Sequence, residues 1–136
     1  MNELTLDATL ENLNQVLAFV DSHLEAVDCP MKAQMQIDVA VEEIFVNIAS
    51  YAYAPGSGPA DVRIAFSEDP AAVEISFADR GMPYDPLARE DPDISLPAEE
   101  RGVGGLGVLM TKKLMDEVRY EFRDGQNVLT MKKILR

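Results

Sequence analysis

Cysteine is almost missing from this chain: Cys29 is the only one, which excludes an internal disulfide and any cysteine-cluster metal site. Histidine is as scarce. His23 stands alone within a helical pattern and reads as a surface or partly packed residue rather than a catalyst. Ser50, Ser57 and Ser95 have no neighbouring His or Lys arrangement that would make them nucleophiles. Gly-Lys-Ser/Thr does not occur, so a Walker A loop is excluded. The wholly apolar runs are a few residues long, far short of the ~20 that span a bilayer. Met1-Asn2-Glu3-Leu4-Thr5 lacks the basic and apolar segments of a secretory signal. Basic charge is also thin, with 12 Lys+Arg against 24 Asp+Glu and a formal net charge of -12. Such a surface repels nucleic acid and anionic membranes while tolerating a basic protein partner. These absences lead to the expectation of a cytoplasmic protein with no nucleic-acid or membrane partner.

What is present is ordinary for a globular domain. The 136 residues are 47% hydrophobic and 26% charged, enough for one domain over 1–136 that buries roughly two-thirds of its unfolded surface. Leu4 and Leu6 alternate with polar residues, a strand signal. The period then changes: Leu10, Leu13, Leu17, Val20 and Leu24 mark one face of a helix that Asp28-Cys29-Pro30 ends. A second helix is predicted over 31–53, with Val41, Ile44, Phe45, Ile48 and Ala52 as its buried stripe, before Pro55-Gly56-Ser57-Gly58-Pro59 breaks the chain. Strands follow over 61–66 and 72–78, and then a proline-interrupted stretch to about residue 104, a length that usually carries function. A third helix fits 105–115, and strands over 118–122 and 128–134 are joined by Asp124-Gly125, a favoured hairpin pair. The order implies an α+β fold: a two-layer sandwich of a mixed, mostly antiparallel sheet with about three helices on one face.

Three constellations could carry chemistry. Glu43, Asn47 and Tyr51 are four apart on the second helix and share a face. A carboxylate and an amide there could orient a nucleophile and hold a hard cation such as Mg²⁺, or could be a Glu–Asn pair on a wet helix edge. Asp79-Arg80-Gly81-Met82-Pro83 ends an apolar strand. Its carboxylate could accept from an exocyclic amine such as that of adenine, with Gly81 clearing space for a flat ring, or the segment could be a simple turn. Gly102-Val103-Gly104-Gly105-Leu106-Gly107 opens the third helix, where backbone N–H groups and the helix dipole favour an anion such as phosphate over a plain hinge. Gly102, Gly104 and Gly107 satisfy G-x-G-x-x-G, yet a dinucleotide site fails on context, because no strand precedes it and a hairpin follows the helix.

Taken in order, Glu43-x-x-x-Asn47, Asp79-x-Gly81, the proline-rich gap and the Gly102–Gly107 run resemble the Bergerat ATP-binding fold, shared by gyrase, mismatch-repair ATPases and histidine kinases. The finer texture resembles the bacterial anti-sigma factor serine/threonine kinase branch. It lies in Asp79-Arg80-Gly81-Met82-Pro83-Tyr84-Asp85-Pro86-Leu87, Met115-Asp116-Glu117-Val118 and Asn127-Val128-Leu129, and the likeness covers almost the whole chain. The resemblance implies Glu43 as general base and Asn47 as the Mg²⁺ ligand. It implies Asp79 as acceptor for the adenine amine, with Gly81 beneath the ring. Gly102, Gly104, Gly105, Leu106 and Gly107 would line the phosphates of ATP, with Arg101 reaching them or a partner and residues 84–101 acting as a lid. It implies a Ser or Thr of an anti-anti-sigma (STAS) protein as substrate, a sigma factor as alternative partner, and a homodimer. One position departs from the family, which often has Asn-x-x-x-His where this chain has Tyr51. A non-catalytic ATP-responsive binding module is the alternative function. The catalytic half of a histidine kinase is a third reading, which lacks a dimerising helix with a phosphoacceptor histidine.

Overall fold

The computed structural model describes residues 2–87 and 105–136. Its elements run β1 (Asn2–Asp7), a 3-10 turn (Leu10–Asn12), α1 (Leu13–Ala26), α2 (Met31–Tyr51), β2 (Pro59–Ser67), β3 (Ala72–Asp79), α3 (Gly105–Leu114), β4 (Glu117–Arg123) and β5 (Gln126–Ile134). The five strands form one sheet in the order β1-β2-β3-β5-β4, and every pairing in it is antiparallel. The α+β two-layer expectation holds, with a sheet that has no parallel pair among the described strands.

Local chemistry sets the joints. Asp28 takes a left-handed φ of 55°, and the amides of Asp28 and Cys29 return to the carbonyls of Glu25 and Leu24, which closes α1. Pro30, with φ −55° and ψ 137°, then starts α2 at Met31. Asp124 and Gly125 both have positive φ, 53° and 76°, between the paired Arg123 and Gln126. That is the two-residue hairpin chemistry of type I′ turns.

The period of two decides which side chains meet the helices. Across β2, β3 and β5, Ile64 pairs with Ile75 and Ile75 with Met131, while Val62 pairs with Phe77 and Phe77 with Leu129. These residues are buried together with Val16, Val20 and Leu24 of α1 and Ile37, Val41, Ile44 and Phe45 of α2. Fully burying each such side chain contributes roughly 1.5–3 kcal/mol. The stripe on α1 differs from the sequence expectation. Leu10 is 62% exposed because it lies in the 3-10 turn, and the buried line is Val16, Val20 and Leu24, with Leu13 and Leu17 beside it. The opposite sheet face carries ion pairs, Arg63 with Glu3 and Asp61, and Arg119 with Glu74 and Glu117.

The same alternation puts Asp79 on the helix-facing side, two residues beyond Phe77, with Asn127 of β5 directly opposite. Sheet register thus delivers two polar side chains to the edge of an apolar core. This corner lies under the C-terminal half of α2.

Candidate functional site

A cavity of about 370 Å³ opens between the C-terminal half of α2 and the ends of β3 and β5, a size typical of small-molecule sites. Its walls are apolar, drawn from Ile44 and Ile48 of α2, Phe77 of β3 and Leu129 of β5. Tyr51, Met82, Tyr84 and Tyr120 also line it, and the first three are exposed at 52%, 69% and 47%. Three polar side chains converge in it: Asn47, Asp79 and Asn127.

Asp79 is 5% exposed. Its Oδ1 accepts from the Gly81 amide at 2.8 Å and from Asn127 Nδ2 at 2.9 Å. Among the described residues both donors fall on Oδ1, which leaves Oδ2 for a donor from outside. A carboxylate beside apolar walls gains from a further donor, so the cavity suits a ligand that presents an N–H to Asp79.

Asn127 organises the corner. Its Nδ2 also donates to the Met82 carbonyl at 3.0 Å and approaches that of Gly81 at 3.4 Å. Its Oδ1 accepts from the Tyr84 amide at 3.1 Å and from the Tyr120 hydroxyl. One side chain thereby ties β3, β4, β5 and the 81–84 segment together. Burial pushes the Tyr120 phenol above its ordinary value, so it stays a neutral donor. In the sequence Asn127 stands out only within Asn127-Val128-Leu129, a stretch that carries the family resemblance but implies no role for it. Only the pairing of Asp79 with Asn127 across β3 and β5 exposes it.

The segment after β3 is held just as closely. Tyr53 Oη donates to the Pro59 carbonyl at 2.6 Å and accepts from the Arg80 amide at 2.7 Å. Burial raises the Tyr53 phenol as well. The Met82 amide donates to the Ala52 carbonyl at 3.0 Å, at the end of α2. A Cβ on Gly81 would collide with that same Ala52 carbonyl. The glycine is therefore required by the approach of the residue that follows α2.

Glu43 lies one turn before Asn47 on the same face of α2, both half-buried. A Cβ on Gly107 would meet the Glu43 carboxylate, so the glycine lets the first turn of α3 lie against Glu43 without pushing its carboxylate aside. Thr111, fully buried, donates to the Gly107 carbonyl at 3.0 Å. The other end of α3 is held by Lys133, whose Nζ donates to the Leu114 carbonyl at 2.7 Å. The structure thus brings together Glu43, Asn47, Asp79, Gly81 and Gly107, with Gly105 and Leu106 in the first turn of α3. Arg101, Gly102 and Gly104, and all of the expected lid beyond residue 87, lie outside the described residues.

Residues 6–133 match the family described as the histidine kinase-like ATPase domain. The chain belongs to that family. Among curated members, it is 28% identical over 100 residues to the serine/threonine-protein kinase BtrW of Bordetella bronchiseptica, covering 74% of this chain and 70% of that one. It is 33% identical over 99 residues to the serine-protein kinase RsbW of Bacillus licheniformis, covering 68% of this chain but only 59% of RsbW. The ATPase-domain fold is also that of the crystal structure of the RsbU and RsbW domains of Rv1364c from Mycobacterium tuberculosis. There the TM-score is 0.68 at 21% identity, over 99% of this chain and 33% of that one. In this histidine kinase-like ATPase domain the apolar cavity with its single buried carboxylate sits beneath the helix that carries Glu43 and Asn47.

Proposed function

We propose that the chain is an ATP-dependent protein serine/threonine kinase of the anti-sigma-factor type, acting on a Ser or Thr of an anti-anti-sigma (STAS) protein. The observation that carries it is Asp79, a buried carboxylate whose Oδ1 is taken by two donors at the floor of an apolar cavity. Oδ2 accepts the adenine amine, and the apolar walls hold the ring. The family match supports ATP as the nucleotide, and the names of BtrW and RsbW support transfer to a protein hydroxyl.

In this reading Glu43 takes the proton from the attacking hydroxyl, a contribution on the order of 10²–10⁴-fold. Asn47 offers an amide oxygen, the hard donor that suits Mg²⁺, and the ion supplies neutralisation of phosphate charge. Gly102, Gly104, Gly105, Leu106 and Gly107 receive the phosphates at the start of α3, where the helix N-terminus favours anions. Arg101 reaches the phosphates or the partner. A sigma factor is the alternative partner, a homodimer the working assembly and the cytoplasm the compartment.

The test is transfer of radiolabel from ATP with Mg²⁺ to STAS-domain proteins of the same organism. Label on a Ser or Thr, lost in Glu43→Ala while ATP affinity persists, is the expected result. Full transfer by Glu43→Ala would remove this residue from the chemistry. Tyr51, which lines the cavity where the family often has His, favours a second reading as a non-catalytic ATP-responsive binding module. Partner binding that tightens with Mg²⁺ and ATP, without any labelled product, would establish that reading instead.

A further inference from the structure

The first half of α2 presents apolar side chains to water. Met31, Met35 and Val39 recur every fourth residue and are 78%, 63% and 36% exposed, so they form one stripe. Beside it, between α2 and the end of α1, lies a groove of about 500 Å³ bounded by Met31 and Met35 and by the carboxylates of Glu25, Asp28 and Asp38. Gln34 Nε2 spans two acids, 3.2 Å from Asp21 Oδ1 and 3.2 Å from Glu25 Oε2. Asp38 Oδ1 is buried with no hydrogen-bond partner.

Among the described residues, none of Asp21, Glu25, Asp28 and Asp38 takes part in an ion pair. Arg136 reaches this corner, but its guanidinium is spent on the carbonyls of Val27 at 2.8 Å and Asp28 at 3.1 Å. Lys32 is an exposed neighbour on α2. Acidic walls, a buried acceptor without a donor and two methionines at the lip ask for a positive charge flanked by apolar surface. Methionine suits such a lip because it adapts to what covers it.

We propose that this groove docks a basic amphipathic helix of a protein partner, whose apolar stripe lies on Met31, Met35 and Val39 and whose Lys or Arg enters between Glu25, Asp28 and Asp38. Charge selects this occupant. A second copy seated groove to groove would set Glu25, Asp28 and Asp38 against their own like charges, and an anionic membrane is repelled by a chain of formal net charge -12. The groove is separate from the cleft, since Met35 and Asn47 lie ~18 Å apart along α2, and it does not depend on the kinase reading.

Protonation gives the site a signature. Burial first, then a hydrogen bond shared with Asp21 and the charges of Asp21 and Glu25, push Asp38 up to about 7. Of the other groups in this corner, Cys29 is raised mainly by burial and partly offset by Arg136. A cation entering the groove favours ionised Asp38 and releases its proton, so binding tightens from pH 6 to pH 8.

The probe is a fluorescent helical peptide with leucines and arginines on one stripe, titrated into the full chain and followed by anisotropy. Saturable binding that weakens with salt, and about tenfold in Met35→Ser, is expected. The same peptide with its arginines replaced by glutamine should bind less tightly, and Asp38→Asn should abolish the pH dependence. Circular dichroism of both variants confirms that these surface changes leave the fold intact. Unchanged affinity in Met35→Ser, equal binding of the glutamine peptide, or amide shifts mapping away from residues 25–39 would overturn the proposal. A Met35-dependent dimer in sedimentation would also overturn it, by giving the groove to a second copy. ATP titration of the same samples reports on the cleft separately.

Discussion

Two carboxylates, Asp79 at the end of β3 and Asp38 in the first half of α2, are treated in opposite ways. Asp79 is almost wholly buried, yet its Oδ1 receives the Gly81 amide and the Asn127 side chain. Asp38 is less buried, but it faces Asp21 and Glu25, and its Oδ1 has no donor. The first is a satisfied acceptor with one oxygen to spare, fixed by sheet register. The second lies in a corner of like charge that a proton or an incoming cation would relieve. Burial alone does not identify a site. The donors around the carboxylate, and the space beside it, separate a ligand acceptor from a charge-hungry groove.

The comparison is broken most severely at Asp79. Asp79→Ala removes the acceptor for a ligand amine and strands Asn127. We expect ATP affinity to fall about tenfold to a hundredfold by calorimetry. Affinity equal to that of the parent would dissociate Asp79 from the nucleotide. Asn127→Ala attacks the same hub from behind. It removes one of the two donors to Asp79 Oδ1 and unpairs the Met82 carbonyl, the Tyr84 amide and the Tyr120 hydroxyl, and should cost ~1–3 kcal/mol of stability in urea unfolding, with weaker ATP binding as well. An Asn127→Ala protein that unfolds like the parent would mean water replaces these bonds.

Gly81→Ala tests whether the end of α2 really occupies the space beside the glycine. The new methyl meets the Ala52 carbonyl, and a cost of ~1–3 kcal/mol in unfolding is expected. An unchanged unfolding midpoint would mean that this contact yields freely.

The smallest effect belongs to Asp38 and has the opposite sign. Its carboxyl is raised from 3.8 to about 7, so the folded chain holds that proton more tightly than the unfolded chain does. The associated stabilisation is complete below about pH 4 and is lost as pH rises through about 7. Asp38→Asn should therefore raise the melting temperature by a few degrees at pH 8 and barely change it at pH 4. An equal shift at both values would detach the effect from ionisation.

Much of this layout was legible in the residues themselves. Met31 follows Pro30 and opens α2 as expected. Asp124-Gly125 turns the last hairpin, and Glu43, Asn47 and Asp79 arrive at one corner because helix and strand periods are strong signals. Leu10 misled, because leucine spacing continues smoothly into a 3-10 turn that points it outward. The close approach of the Ala52 backbone to Gly81 is a tertiary fact that no local pattern encodes. Asn127 belongs to a stretch that carries the resemblance, but its place as a hub shows only in the register of β3 and β5. The acidic groove needed α1 and α2 placed side by side, since Asp21 and Asp38 are far apart in sequence and unremarkable alone.

The most direct test of the central claim is a calorimetric titration of the full chain with ATP, with and without Mg²⁺. Saturable binding that strengthens with Mg²⁺ is the predicted result. No heat of binding at millimolar ATP would contradict the account, and would leave the Asp79 cavity without its nucleotide.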